Sequence, residues 1–212
     1  MGRFAWKANA ASLLQQIADA YHQDMGITSD FIPAENPHPQ ALDAAVGDRV
    51  PDPEISASTV LKTVVYIRLL APPARGEITP AVRRGEALFA SIGCVSCHVP
   101  SMRTGPSRIP QLDEVDVGLY SDLLLHDMGA ELADNRPDMY ANGREWRTPP
   151  LWGLRLVPRA LNGQEVYLHD GRATSLDEAI NLHGGEALVA RESYIGLGEN
   201  ERRDLIAFLK SL

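Results

Sequence analysis

The chain has 212 residues, of which 44% are hydrophobic, and a formal net charge of -8. This length and composition suffice for one hydrophobic core, or for one core with a smaller appendage. Acidic and basic residues are interspersed, so a nucleic-acid partner is not expected, and no apolar run is long enough to predict a membrane span.

Residues 1–74 are predicted to form an N-terminal helical extension with a proline-rich linker. Leu13 and Ile17 belong to a set of apolar residues at helical spacing, which predicts an amphipathic helix over about residues 10–24. Five prolines between residues 32 and 53 predict an irregular connection after this helix.

A second helix is predicted from about residue 56 to residue 70. Val60, Val64 and Ile67 would form its buried side, because they recur at the spacing of one helix face. Pro72 follows and cannot continue the helix, so we expect the extension to end there.

A third predicted helix precedes the most informative motif of the chain. Thr79 is a good N-cap, Pro80 suits the first helical position, and Phe89 continues the helical rhythm. Gly93 then supplies a stop signal.

Residues 94–98 read C-x-x-C-H, which is the attachment motif of a c-type haem. Cys94 and Cys97 can each form a thioether to the porphyrin, and His98 can bind the iron. Zinc would need four ligands and the chain has no second cysteine pair, while a redox dithiol of the thioredoxin type would follow a strand. The sequence therefore predicts a redox protein with one covalently bound haem c and its iron.

The fold class is predicted from the elements around this motif. Ser175 and Glu178 predict a capping box and a helix that continues through His183, and apolar residues over 205–212 predict a closing helix. Because strand signals are scarce, we expect an all-α fold, with a cytochrome c-like domain over residues 75–212 and long irregular loops.

The second axial ligand of the iron should come from a histidine or methionine downstream of the motif. His183 follows Leu176 and Ala179 at i+7 and i+4, so it shares the apolar face of its predicted helix. This position favours His183 as the ligand. Met128, the other downstream histidines and methionines, and an open iron site are the alternatives.

Further contacts to the haem are predicted from residue type. His169 begins a turn-like His-Asp-Gly triplet and is expected to hold the ligand helix or a haem propionate by hydrogen bonds. Arg147 and Arg172 are candidate partners of the propionates, with a solvated surface position as the alternative for each. Trp152 is expected to pack against the ring or in the core.

Several motifs together resemble the C-terminal half of the dihaem cytochrome c peroxidase superfamily. They occur in the family's order, at residues 147–152, 167–172 and 176–180. Residues 123–129 and 143–146 more narrowly resemble the dihaem oxidoreductases often labelled thiol oxidoreductases.

The resemblance implies that His98 and His183 are the axial pair, because position 183 matches the family's distal ligand. It also implies a second haem domain, since family members carry another C-x-x-C-H that this chain lacks. We therefore expect the haem domain of a longer dihaem parent, which relays electrons to a second haem domain or a redox protein. The alternative is a peroxidase-like or thiol-oxidising enzyme that acts at an open or labile distal haem site.

A periplasmic or otherwise exported location is expected, because covalent haem attachment normally takes place outside the cytoplasm. The first seven residues lack the apolar core of a signal peptide, so the signal would belong to the longer parent. Met1 and Gly2 are interpreted as residues left from cloning.

Overall fold

The computed structural model of the chain describes residues 2–36 and 48–212. The described residues divide into two compact units: residues 2–5, 9–36 and 48–71 belong to the first, and residues 6–8 and 72–212 to the second. Each unit has its own hydrophobic cluster. The functional division predicted between residues 74 and 75 stays a prediction, because compactness alone does not define a working domain.

The described part of the first unit contains two α-helices. Helix α1 spans Leu13–Asp19 and continues as a π-helical turn over Ala20–Asp24, and α2 spans Ala57–Arg68. Helix α1 begins after Ser12, whose Oγ accepts a hydrogen bond from the backbone N–H of Gln15 at 3.1 Å. Both helices predicted for this segment are confirmed, with shorter ends.

The core of the first unit lies between these two helices. Val60 is fully buried and packs with Ile17 and Ala18, as the apolar spacing predicts. Ile67, which was predicted on the buried side, is 40% exposed, so that part of the prediction is wrong. Residues 37–47 of the predicted irregular connection lie outside the described residues.

Five helices belong to the second unit as described: α3 (Pro80–Ser91), α4 (Val157–Ala160), α5 (Leu176–Asn181), α6 (Leu188–Ile195) and α7 (Glu199–Leu209). Helices α3 and α7 form its centre, where the rings of Phe89 and Phe208 lie 5.2 Å apart. Within the ranges that the structure describes, no helix has the length and apolar character needed to cross a bilayer.

Two small antiparallel sheets correct the predicted fold class. Strand β1 (Met102–Arg103) pairs with β2 (Asp116–Val117), and β3 (Leu125–Asp127) pairs with β4 (Glu145–Arg147). The prediction of an all-α fold is therefore wrong, and the fold mixes helices with strands. Strands of two or three residues are too short to show the alternation of polar and apolar residues by which a strand is recognised in a sequence.

Replacement of Gly85 tests the close contact of α3 with α7. A Cβ atom at this position would lie 2.0 Å from the backbone oxygen of Asp204 and 2.8 Å from Cβ of Phe208. We expect Gly85→Ala to lower the free energy of unfolding by about 1–3 kcal/mol, because the helices must move apart. Chemical denaturation of both proteins measures this loss.

Gly105→Ala is the matched control, because a Cβ atom there would meet nothing within 4 Å. It should leave the free energy of unfolding close to that of the original chain. Equal stability of the Gly85 and Gly105 variants would contradict this account of the helix contact.

Candidate functional site

A cavity of about 350 Å³ lies in the second unit. Many of its lining residues are apolar, among them Leu151, Leu176 and Ile180. Both the size and the apolar walls are typical of a small-molecule or cofactor site. The polar side chains on its walls include Cys94, Cys97, His98, His126, His169 and His183.

The C-x-x-C-H segment reaches the cavity because the chain turns sharply after α3. Gly93 has a φ of +92°, a left-handed conformation that glycine adopts without steric cost. A short 3₁₀ turn follows over Cys94–Ser96, and the backbone N–H of His98 donates to the oxygen of Cys94 at 3.0 Å. This turn places both thiols and the imidazole on one wall.

His98 is held in one tautomer by the backbone. Its Nδ1 lies 3.0 Å from the carbonyl oxygen of Tyr120, which can only accept, so Nδ1 carries the proton. Among the described residues, Nε2 has no hydrogen-bond partner. Burial lowers the pKa of His98 to about 4, with a smaller contribution from nearby His183, so the ring is neutral at pH 7.

His183 shows the same arrangement. Helix α5 begins after Ser175, whose Oγ accepts from the N–H of Glu178 at 3.1 Å, and it ends at Asn181. His183 therefore follows the helix and is not part of it, contrary to the predicted extent. Its Nδ1 donates to the oxygen of Ala179 at 2.7 Å, and burial lowers its pKa.

The two cysteines carry thiols whose pKa values are raised. Burial raises the pKa of Cys94 to about 11. Burial, and then the negative charges of Asp122 and Glu186, raise the pKa of Cys97. A reactive dithiol depends on a lowered thiol pKa, so this pair does not have the environment of a thiol–disulfide enzyme.

His169 lies on the cavity wall with its ring stacked on Trp146. The ring centroids are 3.6 Å apart and the planes differ by 15°. Trp146 is fixed in turn, because its Nε1 donates to the oxygen of Leu132 at 2.9 Å and the Nζ of Lys7 lies 3.6 Å from the ring centroid. This stack determines the orientation of the His169 ring.

Of the predicted arginine and tryptophan contacts, one lies at the cavity and two do not. Arg147 lines the cavity, and burial lowers the pKa of its guanidinium. Arg172 and Trp152 are outside the lining residues. Arg172 instead donates to the carboxylate of Asp170 at 2.6 Å and to the oxygen of Glu131 at 2.5 Å.

His126 also lines the cavity, but its hydrogen-bond partners differ from those of His98 and His183. Its Nε2 lies 2.8 Å from Asp122 Oδ2, and its Nδ1 lies 2.8 Å from Glu186 Oε2. Both ring nitrogens are thus engaged by carboxylates, which is not the arrangement of an iron ligand. Ligand atoms of Cys97, Asp122 and His126 also lie within 4.8 Å of one another, but a metal ion there would have to displace this ion pair.

Sequence reasoning missed several polar residues of this region, namely Lys7, Asp122 and Glu186. They come from distant parts of the chain, and no periodicity connects them. The pair Gly184–Gly185 before Glu186 was an available signal, since adjacent glycines often mark a close approach of two backbone segments.

The donor set fits a c-type haem. Metal-binding histidines usually give their other ring N–H to a carbonyl or carboxylate, and His98 and His183 both do so with a backbone carbonyl. Two thiols stand beside one of these imidazoles on the same cavity wall. Fold and site therefore define the class as c-type haem proteins.

Comparison with known proteins gives the family. The family described as "Di-haem oxidoreductase, putative peroxidase" matches residues 1–212, and the chain belongs to this family. This confirms the resemblance seen in the motifs. Haem with its iron is accordingly the cofactor of a haem-based redox function.

One relative is the methylamine utilization protein MauG of Methylorubrum extorquens. It is 28% identical over 143 residues, which are 61% of this chain and 34% of the relative. The chain thus matches about a third of the length of that protein.

The raised thiol pKa values predict slow alkylation of the haem-free chain. Iodoacetamide reacts with thiolate, so the rate at Cys94 should be low at pH 8 and should rise until the pH approaches about 11. Mass spectrometry of the modified peptide measures this rate. The unfolded chain in urea is the control and should titrate near the ordinary thiol pKa of about 8.5; identical profiles would contradict the prediction.

Proposed function

We propose that this chain is an electron-transfer domain that carries one haem c between His98 and His183. Thioethers from Cys94 and Cys97 attach the haem, and Nε2 of each histidine binds the iron. The domain exchanges electrons with a second haem domain or with a separate redox protein.

This proposal rests on the similar environments of the His98 and His183 imidazoles. Each histidine lines the same cavity, each donates Nδ1–H to a backbone carbonyl, and each has its pKa lowered by burial. A neutral imidazole with a free Nε2 lone pair is the form that binds iron. His126 lines the cavity without meeting this requirement.

The chemistry of the bound haem is a one-electron change of the iron between ferric and ferrous states. Two bound imidazoles would leave no position at which peroxide can bind, so electron transfer is favoured over peroxide cleavage. An axial His/His pair also favours a lower reduction potential than His/Met, because a thioether stabilises ferrous iron.

Other residues of the wall bind and orient the haem in this proposal. Arg147 supplies a partly buried cation for a propionate, and the stacked ring of His169 supplies a fixed hydrogen-bonding group. Arg172 acts through Asp170, since their ion pair holds the turn that follows His169. The predicted contact of Trp152 stays a prediction.

The proposal extends to a second haem domain and to export. A family described as di-haem implies a second haem, while this chain has two cysteines and so one attachment motif. The partner domain would hold the second haem, and the assembled protein would be exported, in bacteria to the periplasm. Peroxidase-like or thiol-oxidising activity at this haem is the competing proposal, and it requires His183 to leave the iron.

Substitution of His183 tests the axial pair. In the haem-loaded chain, His183→Ala should convert a low-spin absorption and EPR spectrum into a high-spin one, because the iron loses a strong-field ligand. Met128→Ala is the matched control, since Met128 also lines the cavity, and it should keep the low-spin spectrum. The opposite pattern would assign the ligand to Met128, and a high-spin original chain would favour the competing enzyme.

Haem stoichiometry tests the attachment. Chain produced with haem-maturation proteins should gain the mass of one haem, and a Cys94→Ser/Cys97→Ser double variant should gain none. Intact-mass spectrometry with a pyridine haemochrome assay measures both. Two haems, or none, on the original chain would contradict the proposal.

A further inference from the structure

Asp122, His126 and Glu186 form an ion-paired group, called here the His126 cluster. His126 and Glu186 line the cavity, and Asp122 lies behind His126. The imidazole is bound at 2.8 Å on each side by one carboxylate oxygen. The side chains of His126 and Asp122 are only 15% and 12% exposed, whereas Glu186 is 55% exposed. The proposed function leaves this cluster without a role.

The cluster connects the two segments that carry the proposed iron ligands. On one side, the backbone N–H of Asp122 donates to the oxygen of Cys97 at 2.8 Å, next to His98. On the other side, Glu186 lies three residues after His183. His126 therefore bridges the haem-attachment turn and the segment that follows the distal histidine.

The Glu186 carboxylate makes two hydrogen bonds, one through each oxygen. Its Oε2 binds His126, and its Oε1 accepts from the backbone N–H of Asp127 at 2.9 Å. One carboxylate thereby fastens the segment after His183 to strand β3. Charge-assisted hydrogen bonds of this kind are stronger than neutral ones.

The backbone beside the cluster is packed too closely for side chains. A Cβ atom at Gly185, which has a φ of +52°, would lie 2.1 Å from the oxygen of Asp127, and one at Gly184 would lie 2.9 Å from the oxygen of Met128. The two glycines let the distal segment lie directly on the chain after β3. Glu186 is the side chain that secures this contact.

The charge state of His126 agrees with its two partners. Burial alone would lower its pKa, but the hydrogen bonds to Glu186 and Asp122 outweigh burial and raise the pKa. The same contacts lower the pKa of Glu186, together with the N–H of Asp127. The geometry agrees with this direction, because a ring with a carboxylate oxygen at each nitrogen can donate to both only as an imidazolium.

We infer that the His126 cluster is a positioning device that keeps His183 on the haem iron. It acts through the segment 184–186 and does not touch the iron itself. The inference rests on the proposed function, in which His183 is the distal ligand. Without the cluster, His183 should leave the iron more often while remaining its preferred ligand.

The first experiment measures how often His183 leaves the iron. Carbon monoxide binds the ferrous haem only after His183 dissociates, so its binding rate at saturating concentration reports this dissociation. We expect about a tenfold faster rate in His126→Phe, which keeps a ring without donors, and in Glu186→Ala, because each loses charge-assisted hydrogen bonds. Both variants should remain low-spin before carbon monoxide is added.

The double variant His126→Phe/Glu186→Ala tests whether the residues act as one unit. Its rate should equal that of Glu186→Ala, because Glu186→Ala already removes the contacts of the segment with both His126 and Asp127. Glu186→Gln should give an intermediate rate, since the amide oxygen can still accept one hydrogen bond. Rates that multiply would overturn the proposed unit.

Asp204→Asn is the control for the loss of an ion pair elsewhere. Asp204 binds Arg84 at 2.6 and 3.0 Å between α7 and α3, and it is not part of the cavity wall. This variant should bind carbon monoxide at the rate of the original chain. The inference fails if the His126 and Glu186 variants also bind at that rate.

Hydrogen–deuterium exchange gives a readout that does not depend on iron ligation. Amides of residues 184–188 should exchange faster in His126→Phe than in the original chain, while amides of α3 and α7 should be unchanged, which also shows that the variant folds. Unchanged exchange at 184–188 would overturn the inference. If exchange responds but His183→Ala leaves the spectrum low-spin, the cluster fastens the segment, and the assignment of His183 fails instead.

Discussion

The hydrogen bond from imidazole Nδ1 to a backbone carbonyl is the constraint on which the rest of this site depends. At His98 the acceptor is the oxygen of Tyr120, whose own backbone has a φ of +52° and whose hydroxyl donates to Glu86 at 2.6 Å. The ring of Tyr120 packs against Phe89 and Phe208. The direction of the His98 ring is therefore determined by the aromatic core between α3 and α7.

The part of the site around His183 is supported differently. His183 follows a helix of six residues, and its nearest supports are the Ala179 carbonyl, two glycines and the His126 cluster. The β3–β4 sheet organises this side, because its register pairs His126 with Trp146. One of these residues belongs to the cluster and the other stacks on His169, so a six-residue sheet supports two walls of the cavity. In the proposed function, His183 held by these local contacts would be easier to release from the iron than His98, which is held by the core.

The sequence predicted the parts of this site that depend on short, local residue patterns. The C-x-x-C-H spacing indicated haem, and the apolar spacing before His183 indicated that it faces the interior. The strands were missed because their pairing is a property of two distant segments, as in Leu125 with Arg147. The ionic contacts were missed for the same reason, since Asp122 and Glu186 are brought together only by the fold. Arg172 was predicted from its charge alone, and charge does not decide which carboxylate an arginine meets.

The charges around the cavity bear on its reduction potential in opposite directions. An apolar cavity favours the less charged ferrous state, because burial penalises net charge. The carboxylates of Asp122 and Glu186 would favour the ferric state, but a protonated His126 between them compensates one of the two negative charges. Arg147 also lines the cavity, and its positive charge would favour the ferrous state. In the proposed function, the His126 cluster would thus also limit the negative charge near the iron, and it would link the position of His183 to the driving force for electron transfer.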